Sequence, residues 1–163
     1  MTPLEIIEDT ISTWKRERPD LDFSAMALVL RLGTIAKVGI ERTETALAPL
    51  GINVGEFDVL ATIRRHGTGA ELTPSTLAEL TLISQSGLTN RIRRLTEAGL
   101  IARRTNANDK RSFSLRLTLK GTRVADKGIS IVAAIDEEFV KVLSQSSSKT
   151  LQKSLDSLIE GMD

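Results

Sequence analysis

The chain has 163 residues, 40% of them hydrophobic and 26% charged, with a formal net charge of +1. That length suits one domain able to bury about two thirds of the surface its unfolded chain exposes. There is no cysteine and a single histidine, His66, which excludes disulfides, thiol redox chemistry, zinc-thiolate sites and a histidine metal cluster. No cofactor or metal is expected.

No apolar run reaches the roughly 20 residues of a membrane span. The opening MTPLEIIEDT is acidic rather than signal-like. A reducing, cytoplasmic setting without membrane contact is the expectation.

In chain order, Leu4 to Arg18 reads as a short amphipathic helix broken at Pro19, and a longer helical pattern follows from about Phe23 to Leu47. Its stripe is Leu28, Leu32, Ile35 and Gly39, and Pro49 with Gly51 ends it. Asn53 with Glu56 three residues on is a capping-box variant that opens a helix carrying Val54, Phe57, Leu60 and Ile63. That helix stops at HGTG, with His66 favoured at its C-terminus by the dipole. Thr73-Pro74 predicts a cap followed by proline at the first helical position of a short helix through Leu77, Ala78 and Leu80.

After a turn at 81–83, Ser84 is placed to cap a helix from Gln85 to Ala98. There Leu88, Ile92 and Leu95 recur at helical spacing and face a core. Gln85, Ser86, Thr89, Asn90 and Arg93 take the opposite side, a polar edge of base-reading side chains. Ile101 to Thr118 then reads as a hairpin across an Asn-rich turn, with Phe113, Leu115 and Leu117 alternating and Ser114 and Arg116 outward. Two apolar-striped segments close the chain, one with Ile131, Ile135, Phe139 and Val142, the other with Leu151, Leu155, Leu158, Ile159 and Met162. SQSSSK between them is expected to be a loop. Two readings of those stripes stay open: a helical coat folded onto the core, or pairing with a second copy at both chain ends. The second is favoured, because a dimer presents two recognition helices about one DNA turn apart.

The overall charge conceals a segregation. Between Asn90 and Arg123 stand ten basic residues against two acids, Glu97 and Asp109, a net +8 that leaves −7 for the rest of the chain. A helix with a basic outer edge running into a basic hairpin is the electrostatic footprint of a polyanion-binding face.

The chain resembles the MarR family of winged helix-turn-helix regulators. Asp109-Lys110-Arg111 followed after five residues by Leu117-Thr118 fits the wing signature D-x-R-x5-L-T, flanked by Gly99-Leu100-Ile101 and Lys120-Gly121. Leu72-Thr73-Pro74-x-x-Leu77-Ala78 fits as well, as does Leu47 to Ile52 leading to Phe57-Asp58-Val59-Leu60. The likeness runs from about Phe23 past Gly121. It implies a mainly α fold with a small β wing, a winged helix-turn-helix core over 49–121, N-terminal helices over 1–48 and C-terminal dimerisation helices over 122–163. It also implies a homodimer on a pseudo-palindromic double-stranded DNA operator, usually as a repressor. DNA contacts would come from Ser84, Gln85, Ser86, Thr89, Asn90, Arg91, Arg93, Arg94, Lys110 and Arg111. Arg111 would reach toward the minor groove, and Asp109 would hold the wing in shape. Arg93 departs from relatives that often carry an acid there.

Within that family the chain resembles a subgroup that senses urate and related purines and carries an extra N-terminal helix. The positions that match its effector residues are Trp14, Asp58, Arg91 and Arg103. A flat purine anion suits an aromatic platform and the planar fork of arginine, and a contact between Asp58 and Arg91 would couple the ligand to the recognition helix. Each residue also has a plainer role: packing for Trp14, a cap or ion pair for Asp58, phosphate contacts for Arg91 and Arg103. Alternative effectors are phenolic or antibiotic ligands, and a ligand-independent architectural protein is a further reading.

Catalysis is not expected. The chain has no P-loop, no G-x-G-x-x-G, no nucleophile elbow and no metal-ligand spacing. Glu56 and Asp58, two apart on a helix, point away from each other.

Overall fold

The computed structural model describes residues 1–81, 85–105 and 113–162, and of Gln85 and Ser86 the backbone only. Among these residues the chain forms seven α-helices and one two-stranded antiparallel sheet, 73% helical overall. It divides into two compact units, 1–42 and 43–163, each with its own apolar core.

In the first unit, helix α1 (Pro3–Glu17) opens with a reciprocal capping box between Thr2 and Glu5, with Pro3 in its first turn. Ile7 and Ile11 of α1 bury against Phe23, and Ala27 and Leu30 of helix α2 (Ser24–Leu47) pack on that cluster. The expected stripe is only partly covered within the chain, since Leu28 and Ile35 stay about half exposed. Arg31 forms an ion pair with Glu8.

The second unit is built around helix α3 (Val54–Arg65). A 3-10 turn at Ala48–Leu50 closes on Gly51 at φ 72°, a conformation that favours glycine. Asn53 Oδ1 then accepts from Glu56 N at 2.8 Å while Glu56 Oε2 accepts from Asn53 N at 3.0 Å, so the sequence-read capping box is present. Glu44 adds an acceptor for Val54 N at 2.8 Å. Helix α4 (Pro74–Leu80) is capped by Thr73, as its Thr-Pro start predicts. Helix α5 (Gln85–Glu97) buries Leu88, Ile92 and Leu95. With Leu60, Ile63, Leu77 and Leu115 these form one core.

Gly99, at φ 68°, turns the chain out of α5 into strand β1 (Ile101–Thr105), which pairs antiparallel with β2 (Phe113–Leu117), Ile101 opposite Leu117. Leu72 bridges Leu115 and adds a short third edge. Thr118 then caps helix α6 (Leu119–Val140), its Oγ1 accepting from Gly121 N and donating to Gly99 O at 2.7 Å. Gly121 is required there, because a Cβ would collide with the Leu100 carbonyl. α6 packs on α3 through Gly128 against Phe57 and through the Arg64–Asp126 ion pair at 2.6 Å.

One expectation changes. SQSSSK is not a loop: Ser144 caps helix α7 (Gln145–Glu160), accepting from Ser147 N, and the serines that follow form its first turn. Serine reads as loop by composition, yet it is among the best N-cap residues.

Candidate nucleic-acid interface and effector residues

The segregation of α5 into two edges follows from its 3.6-residue period. With Leu88, Ile92 and Leu95 in the core, Thr89, Asn90 and Arg93 are exposed on the other side. Arg93 Nη1 donates to both Glu97 oxygens at 2.9 and 3.1 Å, and its Nη2 donates to Asn90 Oδ1 at 2.8 Å. This exposed pair orients a guanidinium and an amide along the outward edge. Ser84, Asp109, Lys110 and Arg111 lie outside the described residues, as do the side chains of Gln85 and Ser86.

Arg91 and Arg94 take another direction. Arg91 lies over Gly55 of α3, and Arg94 Nε donates to Glu56 Oε1 at 2.9 Å. Arg91 also acts electrostatically on Asp58, so of the four residues in the effector set the structure brings these two under each other's influence. Arg103 stands on the strand face shared with Leu115 and Phe113, its guanidinium 4.7 Å from the Phe113 ring centre. Trp14 belongs to the first unit, where it stacks on Phe23 at 6.1 Å between ring centres and remains 45% exposed.

The wing root holds a cluster that the sequence did not announce. Arg104 Nη1 and Ser114 Oγ both donate to Glu71, each at 2.8 Å, tying both strands to the segment before α4. Glu71 is 33 and 43 residues from these partners, and only strand register could have located it. Glu56 appeared in the sequence as a cap; its second role, receiving Arg94, did not.

Two carboxyls here respond to pH in opposite senses. Hydrogen bonds from Arg104 and then Ser114 hold Glu71 below the ordinary carboxylate range. Burial pushes Asp58 above it, against the attraction of Arg65 and Arg91. The contribution of Glu71 to stability is therefore present above the ordinary carboxyl pKa and lost as pH falls through its lowered one. That of Asp58 is complete below the ordinary value and is lost as pH rises through its raised one. Glu71→Gln is expected to flatten the acid limb of the stability profile, and Asp58→Asn to remove the loss on the neutral side. Thermal unfolding from about pH 3 to about pH 7 checks both, and an unaltered acid limb in Glu71→Gln would contradict the wing-root assignment.

A pocket of about 140 Å³ lies between α4 and α5, lined by Pro74, Ser75, Leu88, Thr89 and Ile92. Among the described residues no group of three His, Asp or Glu side chains is placed to hold a metal ion. No single described helix is long and apolar enough to cross a membrane.

Comparison with known proteins agrees with this architecture. Residues 50–112 match the model of the MarR family. The HTH-type transcriptional regulator PecS of Dickeya dadantii is 33% identical over 138 residues, spanning 83% of this chain and 77% of that protein. The multiple antibiotic resistance protein MarR of Escherichia coli is 31% identical over 107 residues, spanning 65% of this chain and 72% of that protein. The crystal structure of a mutant E. coli MarR complexed with operator DNA superimposes with a TM-score of 0.72 at 27% identity, covering 83% of this chain and 96% of that one. These relatives are regulators, not enzymes. With its helix-turn-helix, wing and flanking helices in the same order, this chain belongs to the MarR family of winged helix-turn-helix transcriptional regulators.

Proposed function

We propose that the protein is a homodimeric repressor that binds a pseudo-palindromic operator and is released by a small anionic ligand, urate or a related purine. The observation that carries the DNA-binding part is the outward edge of α5. Thr89, Asn90 and Arg93 are exposed there, opposite a buried apolar edge, within a stretch of net charge +8. Hydrogen-bonding side chains on a helix of this kind read base edges in the major groove, while the surrounding cations meet phosphates. That E. coli MarR was crystallised on operator DNA supports the same reading. Pairing between copies is supported by apolar side chains exposed at both ends of the chain, among them Leu4, Ile6, Val142, Leu158, Ile159 and Met162.

The effector reading rests on chemistry. Arg103 supplies a planar donor fork beside the Phe113 ring; within the first unit, Trp14 keeps a partly exposed aromatic face. Arg91 of the recognition helix attracts Asp58 of α3 electrostatically. An anion reaching this network would change its balance, and coupling of this kind is typically about 1–3 kcal/mol, or roughly 5- to 150-fold in affinity.

The test is binding of the purified protein to the DNA upstream of its own gene, across a salt series and with and without urate. Affinity is expected to fall about 1000-fold or more between roughly 50 and 200 mM salt, as six or more phosphate contacts per dimer require. Urate should weaken what remains. Affinity flat in salt on that duplex and on operators drawn from a random library would contradict DNA binding. Specific binding indifferent to urate would keep the regulator and move the effector toward phenolic or antibiotic ligands.

A further inference from the structure

Arg91 and Arg94 sit three residues apart on one flank of α5, between its buried edge and its outward edge. Both meet the first turn of α3. The Arg91 guanidinium lies across Gly55 so closely that a Cβ there would collide with its Nε, Cζ and Nη2. Arg94 donates to Glu56, whose side chain is only 4% exposed and whose other oxygen is already committed to the Asn53 cap. Gly55 is not among the glycines at positive φ, and glycine is a poor helix former. The space it leaves for Arg91 accounts for it. Beside the Arg94–Glu56 pair lies a cavity of about 100 Å³, lined in part by Gly51, Leu95, Ala98 and Leu100. Leu88, Ile92 and Leu95 fix α5 to the core along its buried edge, and on this flank the two arginine contacts are what bind it to the first turn of α3.

Resting on the DNA-binding reading above, we infer that Gly55 and Glu56 are positioning residues. They seat Arg91 and Arg94 and so set the rotation of α5 about its own axis. That rotation decides how Thr89 and Asn90 meet base edges and where Arg93 falls beside them. On this reading two cations of the basic stretch serve orientation and are not spent on phosphates.

The two roles differ in their salt signature. A lost phosphate contact lowers the slope of log affinity against log salt by about one and weakens all sequences alike. A misrotated recognition helix loses specific affinity and leaves the slope and non-specific binding as they were.

The experiment uses an operator duplex selected by the wild-type protein from a random library, with a random-sequence duplex beside it. Gly55→Ala is the principal variant, because the added methyl meets the end of a flexible side chain that can move aside without unfolding the protein. Operator affinity is expected to fall about tenfold, the scale of one lost base-pair match, with random-duplex affinity, salt slope and thermal midpoint close to wild type. Arg94→Gln should give the same pattern and Arg94→Lys should recover part of it. Unchanged operator affinity in Gly55→Ala would overturn the inference. So would a parallel fall on both duplexes with a shallower slope in Arg94→Gln, which would make Arg94 a phosphate contact. A wild-type protein that selects no operator would overturn the DNA-binding reading itself, and this inference with it.

Discussion

Leu60→Ala is expected to destabilise the protein by about 2–5 kcal/mol, a large share of the roughly 5–15 kcal/mol that holds a domain of this kind. Leu60 is fully buried at the centre of α3, the helix that packs against α4, α5, α6 and β2. Its neighbours in the core come from all of those elements, including Leu77, Ile92, Leu115 and Ala125. Truncation therefore removes apolar contact from each layer, and helices tied to one another by caps and ion pairs cannot collapse fully into the gap. Urea unfolding of wild type and variant measures the loss. The milder Ile63→Val, at a buried position one turn along, is expected to cost only about 0.5–1.5 kcal/mol. Equal costs at both positions would contradict a core centred on Leu60.

Asn90→Ala is expected to lower affinity for a selected operator by about 1–3 kcal/mol, with little change on random duplex. Asn90 lies on the exposed edge of α5, and its Oδ1 accepts from Arg93 at 2.8 Å. An asparagine amide matches the donor–acceptor pair of adenine, so its loss should relax preference at one position of each half-site. Arg93→Ala has a different expected signature. Arg93 is an exposed cation steered by Glu97, so its removal should weaken both duplexes and reduce the salt slope by about one per contact. Competition binding with single-base operator variants separates the two. If Asn90→Ala weakens every sequence equally, Asn90 reads no base and the outward edge acts through charge alone.

The contrast between Arg93 and Arg94 shows where sequence reading stops. Adjacent, alike in charge and both exposed in part, they contribute equally to any count of basic residues. One points along the outward edge and the other reaches a buried carboxylate on α3. Glu71 gives the same lesson from the acidic side, since its partners come from a hairpin more than 30 residues away.

What was legible from residues alone was governed by near neighbours in the chain. The caps at Asn53 and Thr73, the 3.6-residue spacing of Leu88, Ile92 and Leu95, and a hairpin within Ile101 to Thr118 each depend on contacts within one element or hairpin. The wing motif and its flanks identified the family for the same reason, as a pattern held in linear order. SQSSSK reads as a loop by composition, and the capping power of Ser144 makes it the start of a helix instead. The division of labour among the arginines, the clamp of Glu71 on the wing root and the notch at Gly55 were decided only when α3, α5 and the hairpin packed together. A charged side chain takes whichever opposite charge or open space the fold brings within reach, and linear spacing carries no record of that choice.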